Sequence, residues 1–89
     1  MKTTSVKIEA KADWQKLETL LNVTFTQDEA YSLQVRSANA KVAVSDTEPE
    51  ESNYFFVKDG ENFNWKYDGT NTLWIKPDLP TNPVRVVVS

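Results

Sequence analysis

The chain contains no cysteine and no histidine. The first absence excludes disulfides and thiol chemistry. The second removes the commonest general base, the commonest zinc ligand and the Ser-His and Cys-His nucleophile pairs. Glycine occurs only twice, in Asp59-Gly60 and Asp68-Gly69, which leaves no glycine-rich phosphate cradle and no nucleophile elbow. There is no excess of positive charge either: ten Lys and Arg face thirteen Asp and Glu. Without a basic stripe, counterion-release binding to nucleic acid is disfavoured. The opening Met1-Lys2-Thr3-Thr4-Ser5-Val6 continues without an apolar run of signal-peptide or membrane-span length. A soluble protein made inside the cell is therefore expected, and the sequon Asn22-Val23-Thr24 carries no expectation of glycosylation.

What is present is a chain of 89 residues, enough for one small domain. By surface scaling, folding buries roughly 64% of the extended chain's area. So small a core makes oligomerisation or docking on a larger body a natural supplement. Charge is uneven along the chain. Asp46, Glu48, Glu50, Glu51, Asp59, Glu61, Asp68 and Asp78 put eight of the thirteen acids in the second half.

The hydrophobic pattern has a period of two almost throughout. Val6 and Ile8, Val23 and Phe25, then Tyr31, Leu33 and Val35, then Val42 and Val44 alternate with polar neighbours. Tyr54–Val57, Phe63–Tyr67, Leu73–Lys76 and Val84–Val88 complete seven or eight short strands. This predicts an all-β fold, a small antiparallel β-sandwich or jelly-roll-like barrel. Near residues 13–21, Trp14, Leu17, Leu20 and Leu21 fall at helical spacing, so a short helix competes there with a strand or irregular cover. Residues 1–21 form either a packed cover or an arm that orders on assembly.

Asp-Gly between alternating apolar runs is a strong hairpin signal, because glycine takes positive φ without steric cost. Two successive hairpins are expected through residues 54–76. In such a hairpin, an odd-length loop after Tyr67 brings Phe63, Trp65, Tyr67, Leu73 and Ile75 to one inward face. An even loop would strand two aliphatics in water, forgoing about 2 kcal/mol each. The odd register leaves Trp74 outside among Asn64, Lys66 and Lys76. Two readings follow for this indole: contact with a partner, or cover by the N-terminal segment around Trp14 and Leu17. Trp74, Lys66, Lys76, Asn64 and Trp14 are the candidate partner-binding residues.

The loop Ser45 to Ser52 gathers Asp46, Glu48, Glu50 and Glu51, carboxylates of the kind calcium takes. It lacks the glycine turn and ligand spacing of a calcium-binding loop, and a solvated loop has the same composition. No metal, cofactor or catalytic residue is assigned, and an enzyme is not expected.

From Tyr31 onward the chain resembles small structural proteins of tailed bacteriophages. The resemblance lies in the order of its elements. Tyr31-x-Leu33-Gln34-Val35 is followed by Val42-x-Val44-Ser45-Asp46 and an acidic loop holding Pro49. After these come the Phe63 and Trp65 strand, a glycine turn into Leu73-Trp74-Ile75-Lys76, and the terminal Val84–Val88. The upstream Trp14-x-x-Leu17 fits the same pattern.

The resemblance implies a non-enzymatic virion component, a capsid decoration, head-fibre or tail-associated module. It would bind a phage capsid or tail protein, assemble as a homo-oligomer (a trimer foremost), and reside in the virion after synthesis in the host cytoplasm. Edge pairing by Val6–Ala10 or Val84–Val88 would be one route to assembly. A carbohydrate- or receptor-binding module using Trp74, Tyr67 and Trp65 is the alternative, since sugars stack on exposed rings. A nucleic-acid mimic is disfavoured by a net charge of only −3.

Overall fold

The computed structural model describes residues 2–89 and places eight strands in two antiparallel four-stranded sheets. They are β1 (Thr4–Ile8), β2 (Gln15–Lys16), β3 (Ala30–Arg36), β4 (Ala40–Ser45), β5 (Phe55–Val57), β6 (Asn62–Lys66), β7 (Thr72–Pro77) and β8 (Val84–Val88). The first sheet has the order β1-β8-β3-β6 and the second β2-β7-β4-β5. The expected small β-sandwich is the fold. Among the described residues no helix is long and apolar enough to cross a membrane.

Alternation decides which faces meet. Tyr31, Leu33 and Val35 of β3 face inward with Val84, Val86 and Val88 of β8. Ala40 and Val42 of β4 face them beside Leu73 and Ile75 of β7, all of them buried. Burying each valine, leucine or isoleucine among them stabilises the fold by about 1.5–3 kcal/mol. Ser32, Gln34, Lys41 and Arg85 take intervening positions on the outer faces, beside Ala43, Trp74 and Val87.

Residues 15–21 satisfy both competing expectations in turn. Gln15-Lys16 pairs with β7, and Leu17–Leu21 forms one short helix, α1, which inserts Leu17 into the core. Asn22 ends the helix in the left-handed conformation at φ 56°, its N–H donating to the Thr19 carbonyl. The segment 4–21 is thereby built into both sheets rather than held away as an arm, with Ile8 fully buried. The expected strand at Val23 and Phe25 is absent. This stretch is irregular, with Val23 exposed and Phe25 buried. The Phe25 ring lies 4.6 Å from Tyr31 and 5.6 Å from Trp65. Its N–H donates to the Glu18 carboxylate, which also accepts from Thr72. Side-chain acceptors thus replace a ladder here.

The two Asp-Gly hairpins are also corrected. β5 pairs with β4, β6 with β3, and β7 with β4, so each Asp-Gly turn carries the chain from one sheet to the other. Both glycines have φ of 90°, as the turn signal requires, but the turns are arches. Neighbouring arches explain the choice. The Asp59 carboxylate accepts from the Ser37 N–H at 3.1 Å, and the Asp59 N–H donates to Asn39 Oδ1 at 2.9 Å. Gly60 N–H donates to the Val35 carbonyl, and Val35 N–H to that of Glu61. These bonds lock the β5–β6 crossing against the β3–β4 crossing. In an arch, loop parity no longer sets the faces. Trp65, Leu73 and Ile75 still point inward because each sheet turns its own apolar side to the core. One further correction concerns edges: β8 lies between β1 and β3, so Val84–Val88 has no free edge, whereas β1 does.

Candidate functional site: an aromatic corner beside an acidic loop

Trp74 and Lys76 alternate with the buried Leu73 and Ile75, which turns them to the outer face of the second sheet. Register sets Lys16 opposite Trp74, and Trp14, two residues earlier, joins the same face. The four side chains interlock. Lys16 Nζ stands 5.2 Å from the Trp74 ring centre, and Lys76 Nζ stands 4.7 Å from that of Trp14. Trp74 Nε1 donates to the Ser45 carbonyl at 3.1 Å, and Lys76 Nζ reaches Glu51 at 3.4 Å. Trp74 is half-buried, while Trp14 and Lys76 are buried.

Asn64 and Lys66 sit elsewhere. They pair with Ser32 and Ala30 on the outer face of the first sheet. The five residues expected to form one partner-binding surface are therefore split between opposite faces of the sandwich. The cause is the arch after Tyr67, which sends β6 and β7 into different sheets.

A different group of rings is left bare. β5 and β6 are the last strands of their sheets, and the Phe55 and Phe63 rings bridge them at 5.3 Å. Phe55 stands opposite the buried Val42, on the core-facing side of β5, yet it is 60% exposed. Val44 also occupies a core-facing position, opposite the buried Leu73, and is 38% exposed. Phe56 points the other way, opposite Lys41, and is exposed as well. Tyr54 carries Lys41 Nζ at 4.9 Å over its ring.

Val44, Tyr54 and Phe55, with Glu48, Pro49 and Glu50 of the adjoining loop, line a groove of about 590 Å³. No Lys or Arg is among its lining residues. Its lining mixes apolar Val44, Tyr54 and Phe55 with hydroxyl and amide groups, and Glu48 and Glu50 give it negative charge. Among the described residues, no group of three or more Asp and Glu side chains is placed to hold a metal ion.

Sequence reasoning missed this corner, although a signal was present. Tyr54-Phe55-Phe56 is a run of three aromatics, and successive residues of a strand point to opposite faces. At least one ring had to face outward. No family model, no curated protein and no solved structure matches this chain.

Proposed function

We propose that this chain is a non-enzymatic structural module of a tailed-bacteriophage virion, a capsid decoration or head- or tail-associated protein. It docks on the particle surface through the corner formed by Val44, Tyr54, Phe55 and Phe56. The order of strands gives the virion class, by resemblance. The observation that carries the docking is Phe55, a core-facing side chain left 60% exposed. Exposed aromatics clustered on a small domain mark interaction surfaces, and aromatic residues are enriched at the centres of protein–protein contacts.

The carbohydrate reading has less support. Sugars stack on a free aromatic face, but Lys16 lies over Trp74 and Trp65 is buried. Co-sedimentation of the purified protein with phage particles lacking it tests the proposal. Wild type is expected to pellet with the particles, and Phe55→Ser with Phe56→Ser to stay in the supernatant. Equal pelleting of the two proteins would overturn the docking site.

A further inference from the structure

The corner has three properties whose combination specifies an occupant. First, β5 is the terminal strand of its sheet, so one side of its backbone has no neighbouring strand. Second, two core-facing apolar side chains lie uncovered, Phe55 on the edge strand itself and Val44 on the adjoining β4, just past its pairing with β5. Third, the loop that walls the groove presents Glu48 and Glu50, both exposed and neither in an ion pair among the described residues. The acid next along, Glu51, is already engaged by Lys76.

We infer that the corner receives an extended segment of a partner protein, added beside β5, with alternating apolar and basic side chains. This occupant rests on the docking reading above and adds the chemistry of the partner. An extended strand satisfies an open sheet edge through main-chain hydrogen bonds, and its alternate side chains fall on opposite faces. One set continues the core over Phe55, and the end of the segment that enters the groove reaches Val44. β5 has only three residues, so backbone pairing sets direction and register while the groove supplies most of the attraction. Lysine or arginine on the segment meets Glu48 and Glu50.

A second copy of this chain fits less well. A two-fold contact with the β5 strands parallel would set the acidic loop against itself, and like charges set together oppose association; an antiparallel one would set it against the mixed pair Lys58 and Asp59.

The probe is a capped heptapeptide alternating lysine and valine, added to the full chain labelled with ¹⁵N. Amide shifts are expected to move at Val44, Glu48, Glu50 and Tyr54–Val57, with added protection from hydrogen exchange on β5. Replacing each lysine of the peptide with glutamate is expected to abolish these shifts. Glu48→Lys with Glu50→Lys, both at exposed positions, is expected to weaken the lysine peptide several-fold and to admit the glutamate peptide. Raised salt is expected to weaken binding of the lysine peptide, because exposed charges are screened.

Four results would overturn the inference. One is shifts confined to β1 or β6. Another is equal response to both peptides. A third is no response to either peptide while Phe55→Ser still abolishes particle binding, which leaves the docking site standing with a partner of other chemistry. The fourth is self-association in sedimentation that Phe55→Ser removes, which would assign the corner to a second copy.

Discussion

Ile75 and Phe55 both occupy core-facing positions on the second sheet, one fully buried and the other 60% exposed. That difference separates packing from docking. Truncating Ile75 to alanine removes buried methylene groups and leaves a cavity, which costs about 2–5 kcal/mol. In a domain of this size each kcal/mol lowers Tm by about 4–8 °C. Phe55→Ser removes a ring that is mostly exposed and lies 5.3 Å from that of Phe63, and a cost of about 1 kcal/mol is expected. Urea unfolding of the two variants checks this contrast. Similar losses would place Phe55 among the structural residues. Lys76 illustrates the converse at this scale. Its side chain is only 6% exposed, and its charge is met by Glu51, itself 87% exposed, and by the Trp14 ring. Its buried stem contributes through packing.

The arches are the elements that shape the site, and Asp68 organises the one between β6 and β7. Its carboxylate accepts from the backbone N–H of Asn71 and Thr70 and from the Asn71 side chain. These bonds, the one from the Asn71 backbone foremost, hold its pKa below the ordinary 3.8. A depressed acid contributes stability above its unfolded pKa and loses it as pH falls through the folded value. Asp68→Asn is therefore expected to destabilise near neutral pH, with the difference from wild type shrinking below the folded pKa. Denaturation at several pH values measures it, and a difference constant with pH would contradict the assignment.

The same arches mark where the sequence was readable. Period-two alternation located β3 and β5 to β8 nearly to the residue and β1 and β4 to within two, because one-sided burial imposes that pattern on every half-exposed strand. Asp-Gly correctly marked two turns at positive φ. It did not say whether the next strand stays in the sheet. That choice rests on distant partners, such as Ser37 and Asn39 bonded to Asp59, which no local pattern contains. Phe25 is the same case: Glu18 holds its backbone where a strand was expected. Trp14, Trp74 and Lys76 do come together, whereas Asn64 and Lys66 were assigned to them only through the hairpin premise.

For the molecule as a whole, the accessible surface is 5223 Å². Scaling for a compact monomer of 10.2 kDa gives about 5,300 Å². The chain is thus as closely folded as a free-standing domain. Its exposed hydrophobic surface is unevenly placed, with Val44, Tyr54, Phe55 and Phe56 gathered at one corner beside the acidic loop. Val23 and Leu79 are exposed singly elsewhere, and under the proposed function the corner is the face that a partner covers. The most direct test puts the photo-cross-linker benzoylphenylalanine at Phe55 in one sample and at Asn64 in another, each mixed with phage particles. The account predicts cross-links to a particle protein from position 55 and few or none from position 64. Cross-links from 64 alone, or equally from both, would contradict it.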